Sequence, residues 1–440
     1  MSEPTLRVGL AQDRSDVKLS LQAPFRLGDR VLEPGIVEAR AEAGRVSLLS
    51  AGEELQRSTR IILQPAGEAS TFVLHDMTVG VDFHWEHEQD LVFAGSASLD
   101  AHNNTFHVVN EVGLETYLQS VISSEMSARC PPALLEAHAI ISRSWLLAQL
   151  RGSARQGDGP PEPETVGDTT RIVRWYDRED HQHFDVCADD HCQRYQGVSR
   201  TTTEAARLAV QKTRGVVLSY GGEVCDARFS KACGGMTERF SSAWADVEMP
   251  YLQAVADAPQ ASWPLPLSDE ANATAFILGA PPAYCNTHDR ALLDQILPEL
   301  DHATTEFFRW ETTVSSEQVR GWVKDKIGVD LGPITAIRPL ARGPSGRLIR
   351  LELIGAQGRL ELGKELEIRR VLSPSHLYSS AFVVRPEEGP AGLRFHLRGA
   401  GWGHGVGLCQ IGAAVMADQG HVHTEILAHY FRGATLERRY

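Results

Sequence analysis

The chain has 440 residues, 42% of them hydrophobic and 23% charged, an ordinary globular composition long enough for two or three domains with substantial cores. Its formal net charge is -14 and no basic cluster interrupts it, which argues against a nucleic-acid binder, since that function needs a basic face to neutralise phosphates. No apolar run is long enough to span a bilayer, and seven cysteines scattered along the chain do not make a disulfide framework.

The first residues, Met1 to Asp16, lack the basic and then apolar regions of a secretory leader, so a soluble chain is expected. From Thr5 to about Leu99 short alternating segments recur (RVGL, VKLSL, FRLGD, RIILQ, TFVLHD, DLVFAG), separated by Gly, Pro, Asp and Glu. Alternation with turn residues between predicts strands. Residues 1–103 therefore form a β-rich N-terminal region whose expected role is packing, ahead of a docking role. A further strand, Thr105 to Val112, leads into the first helix.

That helix carries the first chemistry. Leu118, Val121, Ile122 and Glu125 fall at i, i+3, i+4 and i+7, which sets a carboxylate on an apolar stripe. Burial disfavours the charged form and lifts the pKa toward neutrality, where a carboxyl can donate a proton to a leaving oxygen and later accept one. Glu125 is thus a candidate general acid; the plainer alternative is an ion pair with Arg129 or Arg143. After the break at Cys130-Pro131-Pro132, a second helix is predicted with proline in its first turn, and Arg143 sits on a partly apolar face of it.

Residues 153–164, SARQGDGPPEPE, read as a loop. Beyond them Cys187 and Cys192 stand close to His181, His183 and His191. Structural zinc on Cys187, Cys192 and His181, a Cys187–Cys192 disulfide, or two unrelated thiols are the three readings, because the spacing is irregular for a metal motif. Thr202 to Thr213 reads as a helix, and GVVLSYGGEVCDARFSKACGG as a hairpin turning at Gly221-Gly222. Cys233 has no visible base beside it and reads as a small buried thiol rather than a nucleophile.

From Tyr251 to about Tyr378, prolines mark loops, a helix is predicted from Ser316 to Lys326, and GRLIRLELIG and GRLEL alternate as strands. Arg369 and Arg370 read as surface charges. Near the C-terminus, glycines at 399, 401, 403, 405 and 407 alternate with Ala400, Trp402, His404 and Val406. In an extended conformation this exposes bare backbone on one face and an indole and imidazole on the other, the wall of a cleft in which Trp402 stacks on sugar rings; the alternative places Trp402 in the core. A helix is predicted from Gln410 through Met416 to Gly420, and a last one from Thr424 to Phe431. His421, His423 and His429 read as solvated.

Three ordered blocks resemble one family. They are Tyr117-Leu118 with Glu125-Met126, Pro132, Ala137, Ala139 and Arg143; Phe229-Ser230 with Cys233-Gly234-Gly235; and GAGWGHGVGLCQIGA, Gly399 to Ala413, with His429-Tyr430-Phe431. Together they are similar to the catalytic domain of the SpoIID/LytB proteins of bacterial sporulation and cell-wall remodelling. The fold expected is α+β, with a core from residues 104–250 and 379–440 interrupted by an inserted α+β segment, 251–378. Two departures stand out: Leu408-Cys409-Gln410-Ile411 replaces the family's Met-Ser-Gln-aromatic, and His138 stands where glutamine is usual.

The resemblance implies a peptidoglycan lytic transglycosylase that cleaves the β-1,4 bond between N-acetylmuramic acid and N-acetylglucosamine and leaves a 1,6-anhydro sugar. Glu125 would serve as both acid and base, because the substrate's C6 hydroxyl is the nucleophile. Arg143, His404 and Gln410 are expected to hold the glycan, with Tyr117 and Ser124 as lesser contacts. A guanidinium beside Glu125 would lower its pKa, so Arg143 is expected to meet sugar instead. No cofactor is required for the chemistry, and zinc, where family members carry it, would be structural. The rival readings are a non-catalytic, glycan-binding enhancer of a cell-wall amidase and a zinc-dependent amidase or peptidase. The family implies the cell envelope or periplasm; without a leader the chain reads as trimmed, as started elsewhere, or as cytoplasmic.

Overall fold

The computed structural model describes residues 2–80, 86–152, 161–176, 181–201, 203–260, 262–263, 265–298, 301–302, 304, 306–390 and 392–440. Most of the expected loop 153–164, up to residue 160, lies outside them. Among the described residues, ten α-helices accompany strands gathered into several sheets, a mixed α+β fold. The chain divides into two compact units: Met1–Arg143, Arg178–Val217 and Glu437–Tyr440 form the first, Ser144–Asp177 and Leu218–Leu436 the second.

In the first unit, hydrophobic alternation becomes a two-sheet sandwich. A seven-stranded sheet runs in the order Val186–Cys187, Thr5–Arg14, Thr105–Gly113, Ser96–His102, Arg60–Pro65, Phe25–Leu27, Arg30–Leu32. A six-stranded sheet runs His87–Ala94, Thr71–Val79, Asp16–Leu21, Gly35–Glu42, Arg45–Ser50, Glu53–Ser58. The strand Asp16–Leu21 buries Val17, Leu19 and Leu21 and faces Asp16 and Lys18 outward, the period-two pattern of a half-buried antiparallel strand. Phe25 of one sheet meets Phe72 of the other edge-on at 6.2 Å, and Phe72 meets Phe93 at 5.6 Å.

The strand Thr105–Gly113 passes directly into helix α1 (Leu114–Glu125). Leu118, Val121 and Ile122 are wholly buried, as their spacing predicts. Helix α2 (Pro132–Arg151) follows with proline at its first position, where the missing N–H costs nothing. Helix α3 (Glu204–Lys212) is capped by Thr203, whose hydroxyl accepts from the Ala206 N–H.

The second unit holds helices α4 (Phe240–Ala243), α5 (Glu270–Leu278), α6 (Arg290–Ile296), α7 (Ser316–Ile327), α8 (Glu365–Val371), α9 (Gln410–Asp418) and α10 (His423–Tyr430). Its larger sheet has the order Glu164–Val166, Thr169–Val173, Arg359–Gly363, Leu348–Gly355, Ile334–Arg342. A three-stranded sheet places Gly392–Ala400 between Arg309–Ser315 and Phe382–Gly389. Trp310, Val319, Val323, Leu351, Phe382 and Leu397 share one core. The predicted helix near Ser316 is set by a Ser315–Gln318 capping box and stops at left-handed Gly328.

One expectation fails locally. The run after Ala400 is not extended: Gly401, Gly403, Gly405 and Gly407 all have φ between 76° and 94°. Short bridges pair Trp402 with Ala232 and Val406 with Glu238, and Leu408–Cys409 lies parallel to Phe229–Ser230. Left-handed backbone at every second residue brings the chain against its neighbours. A Cβ on Gly405 would sit 2.4 Å from the Arg347 guanidinium, and one on Gly407 would sit 2.0 Å from the Arg228 carbonyl. The glycines here make room for protein.

Candidate functional site

Glu125 is the last residue of α1, beyond which Met126 turns to extended backbone. That end position leaves it half-buried rather than sealed in the core. Its Oε1 accepts the backbone N–H of Arg194 at 2.9 Å, a bond that orients the carboxylate. The Arg194 side chain is itself held by two bonds to Asp190 Oδ1, at 3.0 and 2.7 Å.

Arg143 requires a correction. Its side chain is wholly buried, and its Nε and Nη2 donate to the two oxygens of Glu115 at 3.0 and 2.6 Å. Nη1 donates to the carbonyls of Ala139 and Val216. Every nitrogen of the guanidinium is therefore engaged inside the protein, and the expected sugar contact is replaced by a bidentate ion pair. Glu115, which the helical stripe did not single out, also accepts from Gly215 N–H at 3.2 Å and Tyr440 Oη at 2.6 Å.

Tyr117 is likewise corrected. It is fully buried, stacks on Tyr195 at 4.9 Å and donates to Gln193 Oε1 at 3.4 Å. Burial raises its phenol well above the usual range, and the charges of Cys192, Cys187 and Glu125 add to the effect. Ser124 is 3% exposed, and its Oγ is sealed without a hydrogen-bond partner. Neither side chain is presented to a ligand.

The thiols and imidazoles expected near zinc do converge. His181, Cys187, His191 and Cys192 place one ligand atom each within 4.8 Å of the others. His181 Nε2 lies 3.2 Å from Cys192 Sγ, and His191 Nδ1 lies 3.6 Å from Cys192 Sγ and 4.0 Å from Cys187 Sγ. A tetrahedral zinc with ordinary Zn–S and Zn–N bonds would set such S···N edges at about 3.6 Å. The donor set fits the ion, with His191 completing the three residues expected from sequence; its adjacency to Cys192 was the available signal. The Cys187 thiol is drawn down to about 2, first by Cys192, against its own burial, and then by His181 and His191. Gln193 and Arg194, which hold Tyr117 and Glu125, follow directly on this cluster.

The remaining expected residues belong to the second unit. Trp402 is half-buried between Phe307 and Tyr378, with ring centres 5.0 and 4.4 Å away. His404 Nδ1 accepts the Val406 N–H at 3.0 Å, so the other ring nitrogen carries the proton. Its ring meets Trp244 edge-on at 4.9 Å, and Arg228 lies over the same indole at 4.1 Å. Burial holds the imidazole well below its ordinary pKa, helped by the Arg228, Arg347 and Arg369 charges. Gln410 opens α9 and is 1% exposed. Arg369 and Arg370 are tied to Glu365 and Glu367, not loose on the surface.

The glycine run is also braced from below. Arg347 donates to the carbonyls of Gly403 and Cys233, and the buried Glu238 accepts from Ser345 and Ser242. Neither residue stood out in sequence, because a buried arginine or glutamate is conspicuous only once its neighbours are known.

Residues 102–220 match the family model described as stage II sporulation protein, and residues 238–407 match one described as a domain of unknown function (DUF8618). Stage II sporulation protein D of Bacillus amyloliquefaciens is 23% identical over 339 residues, 77% of this chain and 78% of that protein. Its namesake in Bacillus subtilis is 22% identical over 346 residues, 78% and 80% of the two chains. An amidase enhancer of Bacillus subtilis is 26% identical over 238 residues, 52% of this chain and 32% of that protein.

The chain is thus similar to the SpoIID/LytB family, most directly over residues 102–220. That similarity supports a cell-wall-related role. No helix among the described residues is long and apolar enough to cross a membrane.

Proposed function

We propose that the protein is a peptidoglycan lytic transglycosylase with Glu125 as its single acid and base. The observation that carries this reading is the half-buried carboxylate at the end of α1, fixed by the Arg194 N–H. Such a group is accessible enough to meet a glycosidic oxygen and sufficiently ordered to meet it in one orientation. It would protonate the leaving oxygen, then take the proton of the C6 hydroxyl as that oxygen bonds to C1. No water is consumed, and one carboxylate serves both transfers.

Zinc on His181, Cys187, His191 and Cys192 would be structural in this scheme, because four protein ligands leave no open position for substrate. Its contribution would be to order the loop that supplies Gln193 and Arg194, and through Arg194 to aim Glu125. Glycan strands of the cell envelope are the substrate this reading requires.

The second reading is a glycan-binding enhancer of a cell-wall amidase, favoured by the similarity to an amidase enhancer. Digestion of purified glycan strands, with and without stem peptides, by wild type and Glu125→Gln decides between them. Anhydro-muramyl ends from wild type, absent in the variant, are expected by mass spectrometry. Intact strands with both proteins, bound equally by both, would transfer the assignment to the enhancer.

A further inference from the structure

A second set of metal-ligand groups lies inside the second unit, in residues the glycan chemistry does not use. Cys233 comes from the loop after Phe229–Ser230, Asp257 from the segment ahead of α5, Cys285 from the connection between α5 and α6, and Cys409 from the residue preceding α9. All four are 0–2% exposed, and their ligand atoms lie within 4.8 Å of one another. Cys233 Sγ and Cys285 Sγ are 3.7 Å apart. Two thiolates about 2.3 Å from a tetrahedral zinc are about 3.8 Å apart, whereas a disulfide would bring the sulfurs to about 2.05 Å.

The surroundings ask for a cation. Asp257 accepts from Tyr430 Oη at 2.5 Å and from the Cys285 N–H at 2.8 Å. Among the described residues, no lysine, arginine or histidine forms an ion pair with it, and a carboxylate sealed from water without a positive partner is costly. Cys409 Sγ accepts the Cys233 N–H at 3.2 Å and stands at the residue that precedes α9. A backbone amide aimed at the sulfur and the start of a helix beside it both suit a thiolate. The Arg309 guanidinium is close enough to interact with Cys233 and Cys285, yet its own hydrogen bonds go to the carbonyls of Gly279, Gly234, Phe308 and Phe276. It offsets charge without occupying the centre.

We propose that Cys233, Cys285, Cys409 and Asp257 form a structural zinc site. On binding, the three thiols release their protons to solvent and the metal takes three sulfurs and one carboxylate oxygen. Tyr430 and the amides of Cys233 and Cys285 are the outer donors that orient these ligands. Four protein ligands close the coordination sphere, which makes the site a staple rather than a catalyst. It joins segments up to 176 residues apart and fixes the start of α9, hence the glycine run just before it. A cavity of about 250 Å³ lined by Cys285, His288, Glu306 and Arg309 supplies an entry path. The inference is independent of the glycan-cleaving reading.

Zinc is measured by plasma mass spectrometry on chain purified under reducing conditions with zinc present. The double variant Cys187→Ser/Cys192→Ser should retain one zinc per chain, and Cys285→Ser/Cys409→Ser should hold one fewer than wild type. A first variant that folds and holds none overturns the proposal. Because either variant could fail to fold, cobalt replacement in wild type is the companion measurement. Thiolate-to-cobalt absorption should report three sulfur bonds per chain from this site alone, or five if the Cys187–Cys192 cluster also fills. A signal of two bonds or none, or a denatured mass short of two hydrogens that maps to a Cys233–Cys285 disulfide, refutes it.

Discussion

Arg143→Met tests the reassignment of this residue from ligand contact to internal support. The substitution keeps an unbranched apolar stem but removes both bonds to Glu115 and the donor to the Val216 carbonyl. Glu115 is 7% exposed and would retain only neutral donors, the Gly215 N–H and Tyr440 Oη. Breaking one side of a buried ion pair costs about 3–5 kcal/mol, and the two surviving donors place the loss near the lower end, at about 3 kcal/mol. For a domain of roughly 150–250 residues this lowers the melting temperature by about 6–12 °C. Arg143→Met/Glu115→Leu should recover most of that loss, since no uncompensated charge remains. Thermal melts followed by circular dichroism measure stability, and glycan co-sedimentation at low temperature measures binding by the folded chain. A single variant that melts with wild type but no longer binds glycan would refute the internal role.

Gly405→Ala should destabilise by about 1–3 kcal/mol, from left-handed backbone strain alone, and more from the approach to Arg347, while Gly403→Ala, whose nearest neighbour is Ser230 Cβ at 3.2 Å, should melt higher than Gly405→Ala; the reverse order would contradict the packing described. His404 has a folded pKa depressed by burial and by Arg228, Arg347 and Arg369, so protons bind the unfolded chain first. The stability it contributes is full above about pH 6.5 and declines as pH falls from there toward its lowered value. Urea midpoints between pH 7.5 and 5 should therefore fall less steeply in His404→Asn than in wild type, and parallel slopes would exclude the assignment. Zinc removal, or Cys192→Ala, should speed hydrogen exchange at the Arg194 amide and weaken glycan cleavage together; cleavage lost with Arg194 still protected would separate the metal from Glu125.

Local pattern made much of the fold legible. The alternation of Val17, Leu19 and Leu21, the stripe of Leu118, Val121 and Ile122, the proline opening α2 and the Ser315–Gln318 cap each act within a few residues, so their geometry follows from backbone period and nearest hydrogen bonds. His181, Cys187 and Cys192 could be grouped for the same reason: a short loop keeps them near one another. Gln410 was correctly set at the start of a helix, but nothing in that position announced that it would be buried.

Partners chosen across the chain were beyond reach of any such pattern. Whether Arg143 faces sugar or Glu115, 28 residues earlier, depends on which surfaces close over it. The glycine alternation is equally compatible with a strand and with left-handed bridges, and only the approach of Ala232, Glu238 and Arg347 selects the second. Cys233, Asp257, Cys285 and Cys409 are unremarkable singly and become a cluster when four separate segments meet. The sequence by itself determined the elements, because periodicity and capping are local; tertiary structure decided the site, because a buried charge or thiol takes its character from the groups that packing brings to it.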